Sequence, residues 1–560
     1  MPIYLFKLFF LLPSKVKRKF YISLPFAFIS SLLELIAISS LIPVFQMIFE
    51  QNVNYDFQYL KFLKILVSEQ NEYSIFILIV SIFFLKAIYQ LIFFRFFLQL
   101  IYEIKVNLQK LAINSYLSTN LDYFNKIKQS TFTSKIHIET NLIADQGLLS
   151  FIKIFIEIST VTLLMSLILI SDLFVVIFLL LFGIISIYTF KKFTTNISKK
   201  RGNIRKIYEA ILIDSLKNMY NIFDQIKISN IEKIIKNDLY TKFYNHAKNI
   251  ASFAYIQNAS KIIFEFVLFF IIILIFIYQF KFSNNFDLVK ISFVAIVMLR
   301  IAPCINKIIN SIQNLDFVFK TTKEFYYLLT NKNEEIDNNN KKKIELEIDD
   351  IEELSLKNIS YKFQNHENLI ENFSFKFVSN KIYGLTGNSG RGKSTLAKLI
   401  LGLIHINHGK FFINNNLINT KKIKLNKICT YIPQSIYLTS DTIKNNILFY
   451  RENIPSNNIS KSFIEKFNLQ FIDQFENGIF EQIGDGGLKL SGGQIQRIGI
   501  SRGMIDPKKI IILDEAMNAI DRKTSINLFN SLNEFRKNRI IIIISHDKDL
   551  LNMCDEVINL

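Results

Sequence analysis

Residues Gly387 to Ser394 read GNSGRGKS: a glycine, four residues, then glycine, lysine and serine. A loop of this pattern cradles phosphate when a strand feeds it and a helix leaves it. Lys381 to Thr386 (KIYGLT) reads as the strand, and the spacing of Leu396, Leu399, Ile400 and Leu403 predicts the helix. Glycines let successive backbone N–H groups turn inward, and the helix N-terminus adds partial positive charge. Lys393 can reach terminal phosphates, and Ser394 offers a hydroxyl to Mg²⁺. The pattern points to a nucleoside triphosphate; alone, it could also be a glycine-rich turn.

It does not stand alone. Ile510 to Glu515 (IIILDE) reads as a buried strand ending in two carboxylates, and four apolar residues in a row suit a central parallel strand covered on both faces. Asp514 is then placed to hold Mg²⁺ through water, and Glu515 to orient or deprotonate the attacking water. Between the two motifs lies Leu490-Ser491-Gly492-Gly493-Gln494. After them Ile540 to Ser545 reads as another buried strand, ending at His546.

At these motifs the chain resembles the ATP-binding cassette family. The resemblance implies that Gly387, Asn388, Ser389, Gly390, Arg391, Gly392, Lys393, Ser394 and Thr395 bind ATP, and that Mg²⁺ is held by Ser394, Gln434 and Asp514. By the same resemblance Glu515, His546 and Gln434 are the catalytic set: His546 contacts the γ-phosphate, and Gln434 senses Mg²⁺. Asp521 matches the loop aspartate that crosses to a second cassette. The aromatic that stacks on adenine is Tyr361 or Phe363, with Phe363 preferred by register. Gly484-Asp485-Gly486-Gly487 resembles the loop by which exporters couple cassette to membrane domain. One segment departs from the pattern: Ala516-Met517-Asn518-Ala519-Ile520 stands where the family usually shows a threonine and serine. In this family each ATP sits between the phosphate loop of one cassette and Ser491, Gly492, Gly493 and Gln494 of another. A single cassette therefore implies a second half-transporter, a homodimer in the simplest case.

The 560 residues suit two or three domains, and half of them are hydrophobic although 20% are charged, so the apolar excess must be concentrated. The excess of Lys, Asn, Ile and Phe without any Trp can reflect an AT-rich coding sequence, so the net charge of +19 is not taken as a sign of nucleic-acid binding. Charge placement is more informative. Residues 1–19 carry five bases and no acid, and residues 191–206 carry seven bases and no acid, which by the positive-inside rule orients both termini toward the cytoplasm. Cys304, Cys429 and Cys554 are far apart and without metal spacing, so reduced thiols are expected.

Tyr4 to Leu12 is an apolar run followed by a basic cluster, an order that argues for an amphipathic helix on the inner leaflet rather than a secretory signal. Six stretches are apolar and long enough to span a bilayer: 20–49, 74–102, 147–170, 172–190, 261–280 and 287–309. Residues 103–146 and 191–260 keep helical spacing but are polar, and read as cytoplasmic extensions of the spans. The expected fold is an α-helical polytopic membrane domain (residues 1–330), a polar linker (331–344) and an α/β P-loop NTPase cassette (345–560). This is the layout of an ABC exporter half, placed in a bacterial inner membrane. In that family short transverse helices dock on the cassettes; residues 120–126 and 214–225 match them by resemblance.

Ionisable groups inside a bilayer are costly and either pair or line a wet cavity. At 1.5 Å per residue, Glu34, Lys86 and Arg300 lie about 21, 18 and 20 Å into their spans. Lys307 shares the helix face of Arg300. Two readings stay open: a cationic cavity for an anionic head group, or a salt bridge of Glu34 with one base while the other snorkels. The stretches 34–43 and 299–307 are similar to spans of bacterial lipid-linked oligosaccharide flippases, with Lys86 where that group carries an arginine. The resemblance thus implies ATP-driven flipping of a polyprenyl-pyrophosphate-linked saccharide, or a similar amphiphile, from inner to outer leaflet. The alternatives are a lipid A exporter, a peptide or bacteriocin exporter, and a nucleotide-gated regulator with a vestigial ATPase. The nineteen residues before the first span leave no room for an N-terminal protease domain, which weighs against the peptide reading.

Overall fold

The computed structural model describes residues 3–42, 44, 72–119, 121–171, 173–282, 288–330, 344–345, 350–362, 368–388, 390–419, 423–425, 427–451, 453–455 and 459–560. They fall into two compact units, one of residues 1–119 and 124–332, the other of residues 333–560 with 120–123. The polar stretch expected as a linker lies outside the described residues up to Lys343. Ile344–Glu345 pairs in parallel with Ile423–Lys424, so Ile344 belongs to a strand.

The first unit is all helix. In chain order the helical part runs α1 (Ile3–Phe10), α2 (Ser14–Ser39), α3 (Glu72–Leu117), α4 (Leu121–Asn125, of which 121–123 group with the second unit), α5 (Leu149–Ser171), α6 (Leu173–Asn221), α7 (Phe223–Ile228), α8 (Glu232–Phe282), α9 (Leu288–Phe317) and α10 (Phe319–Thr330). After α4 the chain leaves the helix at Lys126–Lys128, resumes it at Gln129–Thr133, and then widens into π turns at Ser134–Glu139 and Ile143–Leu148 before α5. Long helices here are a solvent matter: an unpaired peptide group in hydrocarbon costs several kcal/mol, so a spanning segment must satisfy its own backbone.

Among the described residues four helical stretches are long and apolar enough to cross a membrane: Ser14–Ser39, Phe76–Leu117, Gln129–Leu169 and Ser292–Phe317. The other two stretches expected as spans fall on α6 and α8. Apolar side chains such as Ile77, Val80, Phe84, Leu85 and Leu91 on α3 point outward, as a lipid-facing surface requires. α5 ends at Ser171 and α6 begins at Leu173, with Asp172 between them outside the described residues. Transverse helices were expected at 120–126 and 214–225. The first coincides with α4, whereas α6 runs on to Asn221 and the second short helix is α7.

Inside the unit, α6 and α9 approach backbone to backbone. A Cβ at Gly202 would collide with the Phe317 carbonyl oxygen, so this crossing has room only for glycine.

The second unit is α/β. Its parallel sheet is built from β3 (Lys381–Thr386), β5 (Cys429–Ile432), β6 (Ile510–Asp514), β7 (Ile540–Ile544) and β8 (Glu556–Asn559), in the order β8-β3-β7-β6-β5. An antiparallel sheet contains β1 (Glu353–Lys362), β2 (Asn368–Val378) and β4 (His408–Ile413). Every residue of β6 and β7 is buried, which explains their unbroken isoleucine runs. Strand β3 feeds α11 (Lys393–Ile400), shorter than the apolar spacing suggests: the chain turns at Leu401–Gly402, where Gly402 adopts φ +65°, and Leu403 is left exposed. Two more helices matter for the site, α12 (Gly492–Met504) and α13 (Arg522–Glu534).

Two outcomes follow from this packing. Gly202→Ala should lower the unfolding midpoint of the purified protein by an amount equivalent to about 1–3 kcal/mol, the usual cost of overpacking, as read by thermal scanning. Burial pushes the thiols of Cys429 and Cys554 up to about 12. The thiolate fraction at pH 8 is then negligible, and iodoacetamide should label neither until the cassette is unfolded.

Candidate functional site

The register of the parallel sheet sets the site. Ile544 pairs with Leu385 on one side and with Asp514 on the other, so the carboxyl ends of β3, β7 and β6 are level. The loop after β3 is the phosphate-binding pattern, the residue after β6 is Glu515, and His546 follows β7 by two positions. Three distant segments thereby meet at one edge, the place where open α/β sheets bind ligands.

Gly390 and Gly392 take φ of +85° and +90°, which only glycine adopts without strain, and Gly392 caps the N-terminus of α11. Lys393 is buried, and its Nζ donates to the carbonyls of Gly387 (2.9 Å) and Asn388 (3.2 Å). It also lies 3.0 Å from His546 Nε2; with the ammonium donating, that ring nitrogen accepts. Ser394 Oγ donates to Asp514 Oδ1 at 3.0 Å, and Tyr431 OH donates to Asp514 Oδ2 at 2.9 Å. Asp514 is thus buried with both carboxylate oxygens occupied. Burial first, and the Asp514 carboxylate second, push the Tyr431 phenol well above its ordinary value, which keeps it a donor.

Glu515 has φ +49°, a strained conformation for a non-glycine residue. Its N–H bonds the Ile544 carbonyl at 3.0 Å, and its carboxylate Oε2 accepts from Gln434 Nε2 (2.7 Å) and Asn518 Nδ2 (2.9 Å). The backbone is therefore held from the neighbouring strand and the side chain by two amides. His546 Nε2 stands 3.5 Å from Glu515 Oε1. Lys393, Ser394, Thr395, Gln434, Glu515 and His546 share one cleft of about 530 Å³.

The arrangement fits a triphosphate with its metal. Ser394 and Asp514 present adjacent oxygens, the donor type Mg²⁺ takes, and would hold it with Gln434 nearby; the ion would neutralise charge between the β- and γ-phosphates. Lys393 supplies a fixed positive charge, Glu515 can orient and accept a proton from a water, and His546 can hydrogen-bond the γ-phosphate.

Not every expected residue joins this cleft. Phe363 and Ser389 lie outside the described residues. Tyr361, the other aromatic candidate, is buried in the β1 face of the core. Arg391 is exposed. Ser491 to Gln494 open α12, where Ser491 and Gln494 form a reciprocal capping box (3.3 and 2.8 Å). Asp521 caps α13 through the Thr524 N–H, a bond that holds its carboxyl below the usual range. Neither cap lines the cleft of its own chain. The segment that departs from the family pattern is structured: Ala519 N–H donates to Gln496 Oε1 at 2.8 Å, and a Cβ on Gly493 would meet Ala519 O at 2.9 Å.

In the helical unit Glu34 is buried and pairs with both Lys86 (2.6 Å) and Arg300, while Gln90 donates to it at 3.4 Å. Of the two readings left open, the one with a single paired base and a snorkelling partner is corrected to two paired bases, because burying a lone carboxylate costs several kcal/mol and two cations offset it better than one. Lys307, expected on the helix face of Arg300, pairs with Glu157 at 2.7 Å.

Sequence reasoning missed Tyr431, Asn518 and Glu157. Tyr431 stands three positions before Gln434 on the strand beside Asp514, a signal visible only once β5 and β6 are paired. Tyr431→Phe keeps the packing and removes one Asp514 bond. It should raise the Mg²⁺ concentration for half-maximal ATP turnover about tenfold, the usual effect of losing a group behind a metal ligand. A titration of turnover against Mg²⁺ that matches wild type would exclude the role.

Residues 370–518 match the family model described as ABC transporter. An export ATP-binding/permease protein of Rickettsia prowazekii (strain Madrid E) is 36% identical over 208 residues, 37% of this chain and 36% of that protein. An ATP-dependent lipid A-core flippase of Pasteurella multocida (strain Pm70) is 32% identical over 208 residues, again 37% and 36%. The chain thus matches little more than a third of the length of these curated relatives. Across the whole chain, the structure of a bacterial Atm1-family ABC exporter with ATP bound superposes with a TM-score of 0.77 at 15% identity, covering 98% of this chain and 94% of that one. Residues 370–518 thus match an ABC transporter domain, and over 98% of its length the chain shares the fold of that exporter structure.

Proposed function

We propose that the protein is an ATP-driven exporter of the bacterial inner membrane that flips an anionic, lipid-linked amphiphile of the polyprenyl-pyrophosphate saccharide type from the inner to the outer leaflet. The observation that carries the ATP part is the cleft in which Lys393, Asp514, Glu515, Gln434 and His546 converge. A vestigial site would have lost one of these groups, so the nucleotide-gated regulator is the weaker reading. Four long apolar helices and the acid-free basic segments support a multi-pass protein with cytoplasmic termini. The lipid part is supported by the basic groups within the spans and by the lipid substrate in the name of the Pasteurella relative. That name also favours a second reading, lipid A, which shares phosphate chemistry with the first.

The working unit in this proposal is a dimer of half-transporters, in the simplest case two copies. The caps at Ser491 and Asp521 are preformed yet lie off the chain's own cleft, the arrangement expected if they complete the site of another cassette. ATP and Mg²⁺ are then shared between phosphate loop and signature helix.

Glu515→Gln should lower ATP turnover at least a hundredfold with nucleotide binding retained, since a positioned general base contributes about 10²–10⁴ in rate. A nucleotide sensor would keep its output. Reconstitution in liposomes with a polyprenyl-pyrophosphate glycolipid, lipid A or a hydrophobic peptide should give ATPase stimulation and translocation with the first. If only the peptide does both, the cargo assignment is wrong. Arg300→Glu should abolish glycolipid translocation, because a second carboxylate beside Glu34 turns the cluster from net positive to net negative.

A further inference from the structure

The two oxygens of the Glu515 carboxylate are not equivalent. Oε2 accepts from two carboxamides, Gln434 Nε2 at 2.7 Å and Asn518 Nδ2 at 2.9 Å. A carboxylate only accepts, so both amides must turn their nitrogen toward it. Oε1 faces His546 Nε2 at 3.5 Å, and that nitrogen already accepts from the Lys393 ammonium, so it has no proton to give. Among the described residues no hydrogen bond reaches Oε1. The two donors on Oε2 come from separate segments: Gln434 follows β5, whereas Asn518 stands three residues after Glu515 itself. From Glu515 the chain folds back, with the Asn518 N–H on the Glu515 carbonyl (3.3 Å) and the Ile520 N–H on the Met517 carbonyl (3.1 Å). Met517 is buried under this turn and Asn518 is exposed on it. The Ala519 N–H, bonded to Gln496 Oε1 at 2.8 Å, ties the turn to α12. Asn518 thus leaves a fixed backbone, and it lies in the segment that departs from the family pattern, so the contact is this chain's own.

We infer that Asn518 is a positioning residue for ATP hydrolysis: by sharing Oε2 with Gln434 it leaves Oε1 as the oxygen that takes the proton of the attacking water. The inference rests on Glu515 as the general base. An oxygen that already accepts from two N–H groups has little capacity for a third donor, whereas Oε1 keeps its lone pairs. The terminal torsion of a glutamate is broad and roughly two-fold, so a single donor would let the two oxygens exchange places. Two donors on one oxygen, each carried by a different segment, oppose that exchange. Gln434 is also expected near Mg²⁺, whereas the Asn518 side chain is committed to the base. In the step itself the O–H bond of the water breaks and its proton passes to Oε1. The water oxygen bonds the γ-phosphorus as the bond from that phosphorus to the bridging oxygen breaks, leaving ADP and phosphate.

The test uses the full-length protein with ATP and Mg²⁺, reading kcat and KM. Asn518→Leu keeps the shape of the side chain and removes the donor. It should lower kcat about tenfold, the value of one charge-assisted hydrogen bond. KM should stay at the wild-type value, because Lys393 and its loop hold the nucleotide, and thermal scanning should show an unchanged unfolding midpoint. Asn518→Gln restores a carboxamide and should recover most of the lost rate; a rate no better than that of Asn518→Leu counts against the contact. The route is read in the Glu515→Gln background, by single turnover with enzyme in excess. There Asn518→Leu should cost nothing further, since the group it positions is gone. A wild-type kcat from Asn518→Leu, a raised KM at unchanged kcat, or a tenfold loss that persists beside Glu515→Gln overturns the positioning role and leaves the base assignment standing. Wild-type turnover from Glu515→Gln alone overturns the base assignment and the positioning role together.

Discussion

Three buried strands ending level with one another are the constraint on which the cassette depends. The register of β6, β7 and β3 places Asp514 opposite Ile544 and Ile544 opposite Leu385. A slip of one residue would turn Asp514 into the core and carry Ser394 away from it. The pairing of the buried strands therefore decides where the polar groups meet. The local strain at Glu515 is tolerated because its N–H is tied to the neighbouring strand and its carboxylate is gripped by Gln434 and Asn518.

In the helical unit the deciding quantity is the cost of burying charge. Glu34 and Glu157 are nearly inaccessible, and each draws bases from other helices: Lys86 from α3, Arg300 and Lys307 from α9. Elsewhere in the unit Lys206 is shared between Glu139 (2.9 Å) and Glu324, and Arg205 binds Glu209 through two bonds of 3.0 and 2.9 Å. Arg205–Glu209 lies within α6, but Arg205 also reaches Thr321 of α10 at 3.2 Å; that bond and the Lys206 pairs cross between segments and restrict which faces can meet, where apolar side chains alone would allow rotation.

Much of this was legible in the sequence because the phosphate loop, the two carboxylates after β6 and the histidine after β7 are local patterns whose chemistry demands particular neighbours. Gln434, assigned by resemblance, does sit on Glu515. What escaped was contact between segments. Tyr431 looks like an ordinary strand residue until β5 lies beside β6, and Glu157 looks like one acid in an apolar run until α9 brings Lys307 to it. Depth along a helix could be estimated from residue counts, so Glu34, Lys86 and Arg300 were correctly grouped, but counting gives no azimuth and could not say that both bases share the acid. The length of α11 was overestimated for a different reason: Leu403 kept the helical period although Gly402 had already ended the helix.

The two widened turns between α4 and α5 bear on everything that follows them. A π turn holds one residue more than an α turn, so each stores a surplus residue in the rod. If one of them tightened, the helix beyond it would screw forward by roughly 1.5 Å and swing by roughly 100°. Residues 153 and 157 lie directly downstream, and their azimuth toward α9 is therefore set by how many surplus residues the rod retains, a discrete number and not a continuous bend.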